Sequence, residues 1–175
     1  DSINLMGVSL GGMVSQCIAS RKPELIERLV LCSTASRNNA YSLQVFENWK
    51  KLAEERDANG LMESFGEKVY SPDFYEKYKE IILSGADGAS EDDYVNFITS
   101  INAIMFFDIY EQLDQIRCPA LVLIAGEDRV FGADASLEMA DKLNCERYIY
   151  EGYGHGVYDE AVDYLSRIKS FLDEK

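Results

Sequence analysis

Three side chains of this sequence have the types and the order that nucleophilic acyl chemistry needs: Ser9, Asp128 and His155. Ser9 lies in GVSLGG, Gly7 to Gly12, between an apolar run and a helix-forming segment. A serine hydroxyl is a poor nucleophile until a base takes its proton, and it must be exposed where base and substrate both reach it. A tight strand-to-helix turn provides that exposure. Such a turn crowds neighbouring Cβ atoms, so Gly7 and Gly11 are expected to relieve the clash while Ser9 holds a strained backbone. A helix starting at Leu10 would aim free N–H groups at the reacting carbonyl, and its dipole favours a developing oxyanion. The backbone N–H of Leu10 is the candidate donor.

The partners of Ser9 are sought at strand ends. ALVLIAG (Ala120 to Gly126) leads into EDRVFG, which puts Asp128 just past a strand; RYIYEG (Arg147 to Gly152) leads into YGHGVYDE, which puts His155 just past the next. Open parallel sheets carry their ligand-facing loops at the carboxyl ends of the strands, so all three residues are expected at one rim. His155 is the single histidine, so no other imidazole competes for the role of base. For the acid, Glu127 beside it and Asp134 further on compete with Asp128. A carboxylate fixes the imidazole tautomer only if it reaches the ring nitrogen that faces away from the serine. The plain alternatives are a loop histidine between the turn glycines Gly154 and Gly156, and an aspartate that merely ends a strand.

The elements that must position these residues alternate. Ile3 to Ser9, Arg28 to Ser33, Ala120 to Gly126 and Arg147 to Gly152 are short apolar runs bounded by polar residues or glycine, and they read as strands. Between the first two, Met13, Val14, Cys17 and Ile18 share a helical face that Pro23 closes. Leu137, Ala140 and Leu143 repeat at helical spacing after the third run, and Tyr158, Val162, Leu165 and Leu172 after the fourth. Strand, helix, strand at this spacing implies parallel pairing with right-handed crossovers and helices on the sheet faces. From Arg37 to about Gln112 the pattern is helical instead. Val45, Trp49, Leu52 and Ala53 form one stripe, and Phe74, Tyr78, Ile81 and Ile82 another. A helix around Asp92 to Phe107 carries Tyr94, Ile98, Ile101 and Met105 on one face and Phe97, Ile104 and Phe107 on a second; two apolar faces need two partners, either other helices or a pocket.

Composition narrows the classes. The chain has 175 residues, 47% of them hydrophobic, enough for one domain with a substantial core. Thirty-one acidic residues against 17 basic give a net charge of -14, which repels nucleic acid and anionic membranes. Cys17, Cys32, Cys118 and Cys145 lack the paired spacings of a metal site or disulfide framework, and the expected compartment is the cytoplasm. No apolar run is long enough for a membrane span.

Taken together, GVSLGG, RKPELIERLVLCSTAS, FDIYEQLDQIRCPALVLIAGEDRVF and EGYGHGVYDE resemble the carboxyl-terminal portion of an α/β-hydrolase-fold protein of the capped esterase, lactonase and haloperoxidase-like group. The likeness spans nearly all of the chain. It implies an α/β fold: a partial α/β-hydrolase with a parallel sheet of about four strands flanked by helices, in one truncated domain (1–175) with a helical cap inserted at about 37–112. It also implies Ser9 as nucleophile, Asp128 as acid and His155 as base, with no metal or organic cofactor. The family commonly has one more residue between the strand-end glycine and the acid than GED supplies here. The expected substrates are small or medium carboxylic esters, thioesters or lactones; the alternative is a catalytically incomplete fragment that is inert or acts as an interaction module. In the family, several strands and an oxyanion loop precede the serine strand, so this chain is expected to start in mid-fold. Loss of one oxyanion donor costs roughly 10² to 10³ in rate. The open Ile3 to Ser9 edge is expected to be covered by a second copy of the chain in a dimer.

Overall fold

The computed structural model describes residues 2–173. Four parallel strands, β1 (Ile3–Val8), β2 (Ile26–Cys32), β3 (Ala120–Ala125) and β4 (Glu146–Tyr150), pair in the order β1-β2-β3-β4. Gly7 stands opposite Leu31, Leu31 opposite Val122, and Val122 opposite Arg147. Every connection between neighbours is a helical crossover, so all four carboxyl ends emerge at the same rim.

The period-2 alternation of β2 and β3 feeds two layers. Leu29, Leu31, Val122 and Ile124 pack with Ala19 of α1 (Leu10–Arg21) and with Met139 and Ala140 of α6 (Ala133–Leu143). Val30, Cys32, Leu121 and Leu123 pack on the other face with Val157 of α7 (Val157–Glu160) and with Tyr164, Ile168 and Phe171 of α8 (Tyr164–Leu172). Both central strands are thereby buried between helices.

Helix α1 departs from the sequence expectation. Of Met13, Val14, Cys17 and Ile18 only Met13 is buried, while Val14 is 51% and Ile18 39% exposed. The inward face is built from Gly12, Ser15, Gln16 and Ala19 instead. The cause is close approach: a Cβ at Gly12 would lie 2.6 Å from the Thr34 side chain, so only a small residue fits there. Gln16 is buried with its amide nitrogen satisfied, Nε2 donating to the carbonyls of Gly12 and Ala35 at 3.2 Å each, while its Oε1 has no hydrogen-bond partner among the described residues.

Between β2 and β3 run α2 (Ala40–Glu54), α3 (Ala58–Val69), α4 (Pro72–Leu83) and α5 (Glu91–Met105). Each has a side-chain cap: capping boxes at Asn39/Ser42 and Ser90/Asp93, and single caps from Asp57 and Ser71. Val45, Trp49 and Ala53 of α2 are buried as their spacing predicts. Both apolar faces of α5 join one cluster with α2 and α3, in which Tyr94, Ile101 and Ile104 are buried and Phe97, Ile98, Met105 and Phe107 partly so. The stripe expected on α4 is displaced. Tyr75 is its buried residue and Ile81 is exposed, since α4 meets α3 at Gly66, where a Cβ would sit 2.4 Å from the Tyr75 ring. The two ends of this helical segment are tied by a backbone bond from Ile109 N–H to Ser36 C=O (2.9 Å) and by an antiparallel bridge between Arg37 and Asp108. No helix among the described residues is long and apolar enough to cross a membrane.

Candidate active site

Ser9 occupies the single residue between β1 and α1, with φ 51° and ψ −121°. A non-glycine residue rarely adopts positive φ, and holding it there costs on the order of 1–3 kcal/mol, which the surroundings must supply. They do so through the backbone. Ser9 N–H donates to Cys32 C=O at 3.0 Å, and Ser9 C=O accepts from the Thr34 hydroxyl at 2.8 Å and from Met13 N–H at 3.2 Å. The turn's tightness shows at Gly7, where a Cβ would lie 2.3 Å from Gly11 C=O and 2.4 Å from the Ser15 hydroxyl. Gly11 does not share that role. Its Cβ position is open, and the second crowded glycine is Gly12, because α1 leaves the turn with Gly11 outward and Gly12 against Thr34. Leu10 is the first residue of α1, and its N–H is one of the four that have no partner within the helix.

Asp128 and His155 meet directly. His155 Nδ1 and Asp128 Oδ2 are 2.8 Å apart, with side-chain exposures of 4% and 0%. The other carboxylate oxygen, Oδ1, accepts from Val130 N–H (2.7 Å) and Phe131 N–H (2.9 Å), so the carboxylate is satisfied on both sides. Burial would raise the Asp128 carboxyl. The charge and hydrogen bond of His155, together with the two backbone donors, outweigh it and hold the group below the usual carboxylate range. The Phe131 ring, fully buried, lies 5.7 Å from the imidazole centre and closes one side of it.

The acid and histidine loops brace each other through the backbone. Gly126 N–H donates to Tyr150 C=O at 2.9 Å and Glu127 N–H to Tyr153 C=O at 3.0 Å. A Cβ at Gly126 would sit 2.9 Å from that same Tyr150 oxygen. Of the competing acids, Glu127 is half-exposed beside Arg129, and Asp134 faces a surface hollow with Arg37 and Glu138. Only Asp128 reaches the imidazole. The GED spacing therefore places a carboxylate on the histidine despite being one residue shorter than the family commonly has.

The hydroxyl of Ser9 makes no hydrogen bond among the described residues; Ser9 shares the rim with His155 but is held by its backbone alone. An apolar groove of about 490 Å³ adjoins the turn, lined by Leu10, Met13, Val14, Ile18, Ala103 and Phe107 among others, and includes neither Ser9 nor His155. Among the described residues no group of three or more His, Cys, Asp or Glu side chains is placed to hold a metal ion. The sequence reading did not single out Thr34, Ser71 or Glu160. Thr34 and Glu160 stood in motifs quoted for their neighbours, and Ser71 opens the turn cluster SPDF.

Residues 1–162 match the alpha/beta hydrolase fold family. The chain belongs to that family. A protein named "Putative carbamate hydrolase RutD" from Agrobacterium fabrum is 28% identical over 176 residues, covering 98% of this chain and 67% of that protein. The 3-oxoadipate enol-lactonase 2 of Acinetobacter baylyi is 23% identical over 124 residues, 71% of this chain and 46% of that one. Among solved structures, the enol-lactonase from Burkholderia xenovorans LB400 superposes with a TM-score of 0.85 at 21% identity, covering 99% of this chain and 66% of its own. At these identities the structural likeness shows the fold alone. This alpha/beta hydrolase chain spans about two thirds of the length of the relatives it matches.

Proposed function

We propose that this chain carries the catalytic triad of a serine hydrolase acting on small or medium carboxylic esters, thioesters or lactones. The observation that carries the reading is the buried 2.8 Å pair between His155 Nδ1 and Asp128. A carboxylate bonded at Nδ1 keeps that nitrogen protonated and leaves Nε2 with a free lone pair, the tautomer a general base needs. The strained turn at Ser9 supports the same reading, since a tight strand-to-helix turn is the geometry that exposes a serine nucleophile.

In the proposed reaction Ser9 Oγ bonds to the acyl carbon as its proton passes to His155 Nε2. The carbonyl oxygen takes up the negative charge and accepts from Leu10 N–H. Collapse breaks the bond to the leaving oxygen or sulfur, which takes the proton from Nε2. Water, deprotonated by the same nitrogen, then releases the acid and restores Ser9. Asp128 stays ionised throughout and stabilises the imidazolium. Carbamate and enol-lactone hydrolysis, named for two of the relatives, share attack at an acyl carbon bearing a heteroatom leaving group. Labelling with a fluorophosphonate followed by intact mass tests the proposal: one adduct on the wild type and none on Ser9→Ala is the expected result. Absence of an adduct on the wild type would refute an activated serine.

One observation favours a second reading, an interaction module. Among the described residues β1 pairs with β2 only, Ile3 and Met6 of that strand are 54% and 40% exposed, and Val14 and Ile18 of α1 are exposed as well. We propose a second copy of this chain as the occupant. Sedimentation velocity checks it: dimer mass that falls to monomer in Met6→Lys supports pairing at this edge, and monomer at every concentration excludes it.

A further inference from the structure

The histidine loop is gripped from a direction the triad does not use. The junction between α3 and α4, Val69 to Ser71, lies against residues 154–160 through bonds at three positions. Val69 C=O accepts from Gly156 N–H at 2.7 Å. Tyr70 hydroxyl donates to Asp159 Oδ2 at 3.0 Å. Ser71 donates twice to the carboxylate of Glu160, from its backbone N–H to Oε1 at 3.0 Å and from its hydroxyl to Oε2 at 2.5 Å. The two backbones touch so closely that side chains are excluded: a Cβ at Gly154 would lie 2.6 Å from Ser71 N, and one at Gly156 would lie 2.7 Å from the Tyr70 ring. These are the two residues flanking His155.

We infer that Glu160 is a positioning residue for His155, latching the histidine loop to the helical segment between β2 and β3 through Ser71. The mechanical link is short. Glu160 ends α7, whose first turn bonds back to Gly156 C=O, so the carboxylate and the backbone beside His155 move as one piece. At the other end Ser71 is the N-cap of α4, its hydroxyl accepting from Phe74 N–H at 3.4 Å while donating to Glu160. A carboxylate at a helix N-terminus is also favoured by the helix dipole. Asp128 thus orients the ring and Glu160 anchors the loop that carries it. A displacement of α3 or α4, such as an occupant between these helices and the sheet would cause, reaches the imidazole through this latch. The inference rests on His155 being the base, but its test does not.

Nuclear magnetic resonance of the 175-residue chain decides it, because the sole histidine gives one imidazole spin system and the sole tryptophan, Trp49, reports folding of the helical segment. In Glu160→Ala the Gly156 amide is expected to exchange roughly 10- to 100-fold faster, the loss anticipated for hydrogen bonds to a charged acceptor. The His155 Nδ1–H signal should broaden or vanish while the Trp49 indole signal holds its wild-type position. Glu160→Gln, which keeps an acceptor for Ser71 N–H, should recover most of the protection. Unchanged Gly156 exchange and an unchanged imidazole in Glu160→Ala would overturn the latch. Should that variant fail to fold, Ser71→Ala, which removes one donor and keeps the other, is read by the same two signals: faster exchange supports the latch and wild-type values overturn it. Neither signal depends on whether Ser9 reacts, so a failed fluorophosphonate label and a failed latch are separate outcomes.

Discussion

Strands β1 and β3 are both six residues long and both apolar, INLMGV and ALVLIA, yet every residue of β3 is buried whereas β1 has one buried residue, Gly7. The difference is one of neighbours. β3 is flanked by β2 and β4 and covered by helices on both faces; β1 is flanked by β2 alone among the described residues. The candidate site divides along the same line. Its acid and base, at the ends of β3 and β4, are buried, bonded to each other and braced by two backbone bonds, while Ser9 at the end of β1 depends on Cys32, Thr34 and Met13 to hold a strained turn. The same sheet therefore has a half buried between neighbours and, among the described residues, a half with one neighbouring strand.

Substitutions break this comparison in graded ways. The largest effect is expected from Asp128→Asn, which leaves the imidazole free to take the wrong tautomer: the rate of fluorophosphonate labelling at Ser9 should fall roughly 10⁴-fold. Removing the carboxylate altogether, in Asp128→Ala, strands His155, Val130 N–H and Phe131 N–H in the interior and should cost about 3–5 kcal/mol, measured by urea unfolding followed through Trp49. On the β1 side, Gly7→Ala drives a Cβ into the Gly11 carbonyl, and about 1–3 kcal/mol of destabilisation is expected together with loss of labelling. Gly11→Ala, two residues past Ser9, enters open space on a helix and should be neutral or stabilising by up to about 1 kcal/mol. If both glycine variants behaved alike, the assignment of the crowded position to Gly7 rather than Gly11 would be wrong.

Acid unfolding sharpens the same contrast. The Asp128 carboxyl is held below its ordinary value in the folded chain, so it contributes stability that is fully present above the unfolded value, about 3.9, and is lost as pH falls through the folded value. Urea midpoints taken from pH 6 down to pH 3 should fall more steeply for the wild type than for Asp128→Asn. A parallel pair of curves would mean that another group governs the acid limb. A small effect is expected from Thr34→Val, which keeps the shape beside Gly12 but removes the hydrogen bond to Ser9 C=O; about 1 kcal/mol of stability should be lost.

Much of the fold was legible because its signals are local. The four strands are found within two residues of where their apolar runs place them, and the GVSLGG turn announces both the strand end and the start of α1. Where reading failed, the cause was a neighbour far away in sequence. α1 turns its small residues inward because Thr34 lies under Gly12, and α4 buries Tyr75 because Gly66 of α3 opens a place for it. α3 itself was not singled out, since Gly60 and Gly66 interrupt the helical pattern that tertiary packing then stabilises. At the candidate site, the types and order of Ser9, Asp128 and His155 were legible and the family resemblance put the acid on Asp128, but spacing alone left Glu127 open, since adjacent residues differ only in which way the chain points them.

The sequence by itself determined the alternation of strands and crossovers, the strained serine turn and the presence of one imidazole, because each depends on side chains within a few residues of one another. Only the tertiary structure decided which carboxylate meets that imidazole, which face of α1 lies on the sheet and that Glu160 is bonded to Ser71. Those outcomes hang on distances between segments 22 to 89 residues apart, and no local preference encodes them: they are set by how closely whole helices and strands pack.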